Sequence, residues 1–141
     1  MSLRPIIESP RSMGLICGAY IAVLVFFTHW PRFPEVGAGP TGLPLDKVVH
    51  FGLYGILGFL LGIANKAGSA RNKIPIQRLL AAILVFAALD EYTQAYTGRT
   101  PDFWDWAADA AGAAWGVTAA ELCRRFLVPA ANGVRSSRMA P

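Results

Sequence analysis

Asp46 and His50 stand four residues apart in an apolar stretch, so on a helix they share one face, with Tyr54 a turn deeper and Lys47 beside them. Asp90 and Gln94 repeat that spacing, with Glu91 pointing partly away. Asp105 and Asp109 do so again, on a stripe that continues into Gly112 and Gly116. Carboxylates and an imidazole in such a set can move protons: Asp90 or Glu91 is the candidate general base, His50 the proton shuttle, and Arg99 the group that stabilises developing negative charge. The same constellation can instead bind without turnover. Lys47 and Arg99 then hold a phosphate or carboxylate, Arg99 through paired hydrogen bonds to a planar oxyanion, while Asp46, Gln94, Asp105 and Asp109 orient the ligand. Mixed histidine and carboxylate ligands can hold a divalent metal, but the chain spacing offers no compact ligand motif, and no metal or cofactor is expected.

Each of these residues also has a purely structural role open to it. Asp46 and Asp102 fall at helix starts, where a carboxylate satisfies free amides and the helix dipole. Glu91 can face headgroups or water, Arg99 can pair with Asp102 or Asp105, and His50 can satisfy a neighbouring carbonyl. Taken singly, none implies a function. Taken together they point to a ligand or catalytic site, with a purely structural salt-bridge network as the alternative, because three helices contribute ionisable groups at similar depth in a chain with only 16% charged residues.

Four apolar stretches, over residues 12–30, 48–65, 79–96 and 103–128, must position them. With 54% hydrophobic residues in 141, the chain is too apolar for a routine soluble domain. The first two stretches come close to the roughly 20 residues that cross a hydrocarbon core. The other two do so only if their outer turns carry Asp90 and Glu91, and Asp105 and Asp109. A carboxylate at apolar depth costs about 2.5–3.5 kcal/mol on insertion scales, so such a group marks a functional site by default. The expected fold is all-α: a bundle of four transmembrane helices over residues 13–128, with a short cytoplasmic N-terminus (1–12) and a cytoplasmic, disordered tail (129–141).

Charge placement gives the orientation. Arg4 and Arg11, then Lys66, Arg71, Lys73 and Arg78, then Arg124, Arg125, Arg135 and Arg138 hold all but three of the thirteen basic residues, leaving Arg32, Lys47 and Arg99 on the other side. The positive-inside rule puts both termini in the cytoplasm and the carboxylates at the outer face. The sequence pI of about 9.4 therefore reflects orientation and anionic headgroups, and nucleic acid is not an expected partner. Cys17 and Cys123 lack a CxxC spacing and read as packing residues. The first stretch reads as a retained helix, because it is longer than a signal-peptide core and Val36-Gly37-Ala38 lies well past its end.

Prolines and glycines make residues 31–45 an irregular outer loop. Asp46 is expected to cap the second helix, and Thr100 and Pro101 to supply the N-cap and first residue of the fourth. Gly52, Gly55, Gly58 and Gly62 form a small-residue surface on the second helix. Gly58 with Gly62, and Gly112 with Gly116, are GxxxG pairs that pack helices either within one chain or between copies, as in a homo-oligomer. Trp30, Tyr92, Tyr96, Trp104 and Trp106 suit an outer aromatic belt.

At these residues the sequence resembles the VanZ-like family of small bacterial membrane proteins. The resemblance lies in Asp46-Lys47-Val48-Val49-His50-Phe51 with Tyr54, in Asp90-Glu91-Tyr92-Thr93-Gln94, in Gly98-Arg99, and in Asp105 with Gly112 and Gly116, in the family's order and spacing. Asp109 stands where the family pattern usually has Asn, which adds a negative charge. The resemblance implies a multi-helix integral membrane protein. Its name-giving member is associated with resistance to teicoplanin, a lipid-tailed glycopeptide that binds cell-wall precursors. The implied expectation is a multi-pass protein of the bacterial inner membrane, in contact with the lipid bilayer, whose outer polar site binds an anionic or lipid-linked envelope component such as a wall precursor or a glycopeptide. The alternative is a membrane-embedded enzyme using the Asp, Glu and His groups as acid and base on such a substrate. A proton-linked carrier would place an acid near the midplane, whereas these lie toward one end.

Overall fold

The computed structural model describes residues 9–30, 45–67 and 73–127. They form four long helices: α1, Pro10–Thr28; α2, Leu45–Ala67; α3, Ile76–Gln94, which tightens into a 3-10 turn over Ala95–Thr97; and α4, Phe103–Leu127. The expected outer loop over 31–44 and the tail after residue 129 lie outside the described residues.

Local chemistry sets the helix ends. Ser9 caps α1 by accepting from the Ser12 amide (3.4 Å), and Pro10 opens the helix where no N–H is required. Asn65, near the end of α2, exchanges two 2.8 Å hydrogen bonds with the backbone of Ile74 and so ties the approach to α3. Past the 3-10 turn, Gly98 takes φ +82, a left-handed conformation that suits glycine, and the chain turns back so that the Arg99 amide reaches the Gln94 carbonyl at 3.3 Å.

Two helix starts differ from expectation. Asp102, not Thr100, caps α4: its Oδ1 accepts from the Trp104 amide (2.9 Å) and its carbonyl from the Asp105 amide (3.0 Å). A short carboxylate two residues before an amide makes that bond readily, which places Pro101 outside the helix. Asp46 lies in the first turn of α2, because that helix already begins at Leu45.

The spine of the bundle is the pair α2 and α4, which run parallel with their glycine surfaces face to face. A methyl on Gly112 would overlap the Phe51 carbonyl, one on Gly116 the Gly55 carbonyl, and one on Gly58 the Ala113 carbonyl. Both GxxxG pairs are thus used within the chain, one of the two packings left open by the sequence. Tyr20 of α1 donates to the Leu53 carbonyl of α2 (2.8 Å), and Trp106 of α4 donates to the Leu84 carbonyl of α3 (3.3 Å). Below the polar end, Leu24, Tyr54, Leu57, Leu79, Ile83, Ala87, Ala113 and Val117 form the apolar core.

Residues 10–28, 45–65 and 76–97 are long and apolar enough to cross a membrane. The 25-residue α4 is rich in Ala, Gly and Trp and does not reach that apolarity; it gains its place by packing against α2. The surface agrees with a bilayer environment. Leu15, Phe26, Val85, Leu89 and Trp115 are exposed while Asp90, Glu91, Asp105 and Asp109 are buried, the reverse of a water-soluble domain. Trp30, Tyr92, Tyr96 and Trp104 are exposed, as a belt requires. Trp106 is the exception, half-buried and spent on α3.

Candidate functional site

The helical spacings read from the sequence converge at one end of the bundle. From α2, His50 is 2% exposed and its Nδ1 lies 3.0 Å from Oδ1 of Asp109 on α4, itself fully buried. The Nε2 of the same ring lies 4.0 Å from Oδ2 of Asp105, one turn nearer the start of α4. One turn deeper on α2, the Tyr54 hydroxyl donates to Oδ2 of Asp90 on α3 (3.2 Å). Gln94 extends its amide toward Asp90 (3.5 Å) and Glu91 (3.4 Å), as two groups on one helix face must. These side chains make up a buried floor.

Glu91 corrects the expectation that it points partly away from this face. It is 6% exposed, and its Oε1 accepts from the Asp102 amide at 2.5 Å. The physical reason is the tight connection through Gly98, which folds the start of α4 over Glu91, where a free amide needs an acceptor.

Above the floor sits a rim of partly exposed ion pairs. Lys47 Nζ is 2.7 Å from Asp102 Oδ2 and 2.7 Å from Asp105 Oδ1, while Arg99 gives one nitrogen to Asp46 Oδ1 (3.2 Å) and another to the Thr28 carbonyl (3.2 Å). Arg99 therefore pairs with Asp46, and the acids named as its partners under the structural alternative, Asp102 and Asp105, go to Lys47. The Lys47 ammonium and the Trp104 amide hold the Asp102 carboxyl below its usual range. The ionised form is thereby favoured in the fold: that contribution to stability is present above the ordinary carboxylate pKa and fades as the pH falls through the lowered one.

Every residue singled out from the sequence, Asp46, Lys47, His50, Asp90, Glu91, Gln94, Arg99, Asp105 and Asp109, lies in this cluster. Helix α1 adds members that sequence reasoning missed. Thr28 donates to Asp90 Oδ1 at 3.0 Å, and His29 lies between the Val25 carbonyl (Nδ1, 3.0 Å) and the Thr93 hydroxyl (Nε2, 3.0 Å). A signal was there: His29 is one of only two histidines and ends an uncharged run at the depth of the other polar groups.

The fold also assembles ligand sets that chain spacing does not reveal. Asp46, His50 and Asp105 form one, and His50, Glu91 and Asp109 another, each offering nitrogen and oxygen atoms within 4.8 Å of one another. Asp109 Oδ2 has no hydrogen-bond partner among the described residues.

The arrangement can relay a proton through the His50–Asp109 pair, hold an oxyanion at the rim, or ligate a cation on the floor. The model of the VanZ/LLP1 family matches residues 8–124, a span that takes in every member of the cluster. No curated protein and no solved structure matches the chain.

Proposed function

The chain belongs to the VanZ/LLP1 family, and on that premise we propose that it is a multi-pass protein of the bacterial cytoplasmic membrane whose polar end faces outward and binds an anionic or lipid-linked component of the cell envelope. The observation that carries this reading is the two-level site. Its rim pairs involve Asp102 and Asp46, whose side chains are 41% and 45% exposed. Exposed ion pairs are worth only about 0–1 kcal/mol. An incoming phosphate or carboxylate can therefore exchange with Asp46 on Arg99, or with Asp102 on Lys47, at small cost. The floor beneath is buried and fixed, so it distinguishes what sits on the rim.

The His50–Asp109 pair favours a second reading, in which the site also turns over its ligand. A buried carboxylate fixes the tautomer and orientation of a histidine whose other nitrogen then acts on the substrate, with Asp90 or Glu91 as the alternative base.

Two experiments address these proposals. An impermeant maleimide added to intact cells should label a Tyr96→Cys protein carrying Cys123→Ser, while Cys123 of the wild type should react only after permeabilisation; the opposite pattern would invert the orientation. Second, wild type and Arg99→Ala are expressed in a Gram-positive host with membrane levels matched by immunoblot. The wild type is expected to protect against teicoplanin and not vancomycin, and Arg99→Ala to remove the protection. No protection by well-expressed wild type would remove glycopeptides from the proposed ligands.

A further inference from the structure

We propose that the floor of the site holds a divalent transition-metal ion ligated by His50, Glu91 and Asp109. The inference deepens the reading of this site, and rests on the cluster being a ligand site, but does not depend on which envelope component the rim receives.

Four observations carry it. The three residues come from three different helices, are each at most 6% exposed, and present ligand atoms within 4.8 Å of one another. Ligands about 2.0–2.2 Å from a zinc ion sit roughly 3–4 Å apart, so small side-chain movements close the set. Next, Oδ2 of Asp109 is buried without a partner among the described residues. An unsatisfied buried acceptor is costly, the more so when charged, and a metal ion is one of the few groups that would satisfy it there.

The third observation is charge. Asp46, Asp90, Glu91, Asp102, Asp105 and Asp109 face Lys47 and Arg99 as the permanent cations of the cluster, leaving four formal negative charges when both histidines are neutral. Confined at the end of apolar helices, that excess calls for a cation. The fourth is the outer support. With Nδ1 of His50 on the metal, Nε2 faces Asp105, which Lys47 holds in turn, and Glu91 is fixed by Gln94 and the Asp102 amide. Metal-bound histidines usually present their second nitrogen to a carboxylate in this way. One imidazole with carboxylate oxygens suits zinc, manganese or ferrous ions rather than soft cuprous copper. Such an ion would give an anionic headgroup the positive charge that Lys47 and Arg99, already paired, share with their acids.

The test uses the full chain carrying Cys123→Ser, which removes an exposed thiol, purified in detergent, stripped with chelator and titrated with Mn2+ followed by electron paramagnetic resonance, with Zn2+ as competitor. One saturable site is expected, weakened at least ~10-fold by Asp109→Asn and by Glu91→Gln, with nitrogen coupling in the bound Mn2+ signal. Absence of a saturable site, binding unchanged in both variants, or a bound signal without nitrogen coupling would overturn the proposal. Where one of these variants fails to fold, Asp46→Asn decides, because Asp46 belongs only to the other set that contains His50: binding should survive that change, and its loss there would overturn the proposal. No lipid-linked component is present in the titration, so failure of the metal site and failure of headgroup binding are read separately.

Discussion

Gly116→Ala is expected to lower the thermal inactivation midpoint of the solubilised protein by roughly 5–10 °C, whereas Gly52→Ala should leave it unchanged or raise it slightly. A methyl on Gly116 would overlap the Gly55 carbonyl and lie 2.7 Å from the Phe59 amide nitrogen, and backbone of a neighbouring helix cannot move aside as a side chain can. The two helices must separate along their whole seam, and overpacking of that kind costs about 1–3 kcal/mol, with a few degrees of midpoint per kcal/mol in a chain of this size. Gly52 faces open space, with nothing within 4 Å of an added methyl. There alanine gains up to about 1 kcal/mol of helix propensity. Size-exclusion profiles recorded after stepwise heating compare the two. Equal midpoints would mean that α2 and α4 do not meet at their glycines.

Lys47→Met should be the more damaging change at the polar end. It leaves Asp105, whose side chain is 5% exposed, without the ammonium 2.7 Å away, while Asp102 at the rim can turn to solvent. Removing one partner of a buried pair costs about 3–5 kcal/mol; with Lys47 itself 30% exposed, roughly 2–3 kcal/mol is expected. The double substitution Lys47→Met/Asp105→Asn removes the stranded charge and should recover more than half of the loss, a non-additivity that marks direct coupling. Additive losses in that cycle would show that Lys47 stabilises the bundle through something other than Asp105.

Residues three or four apart on one helix were legible in the sequence, since their shared face follows from helical geometry alone. That is why spacing by itself places Asp46 with His50, Asp90 with Gln94, and Asp105 with Asp109. Contacts across helices were not legible in this way. Whether Arg99 meets Asp46 or Asp105 depends on how far the turn at Gly98 rotates the start of α4, and chain spacing does not carry that angle. Glu91 turned inward for the same reason, because the amide it accepts from belongs to the next helix. Thr28 and His29 close an uncharged run and acquire a role only when α1 docks beside α3. The glycine pairs announced a close helix contact, but self-pairing and pairing within the chain demand the same residues. Likewise, the histidine and carboxylates of the floor are compact only in space, since His50, Glu91 and Asp109 are far apart along the chain.

The most direct measurement on the central claim is retention of a polyprenyl diphosphate by the protein in native mass spectrometry, against phosphatidylglycerol as the competing anionic lipid. The expected result is selective retention by the wild type and at least ~10-fold weaker retention by Arg99→Gln at an unchanged melting midpoint, the loss that one charge-assisted pair accounts for. Equal retention of the two lipids, or retention unchanged in Arg99→Gln, would contradict the assignment of the polar end as a binding site for a lipid-linked headgroup.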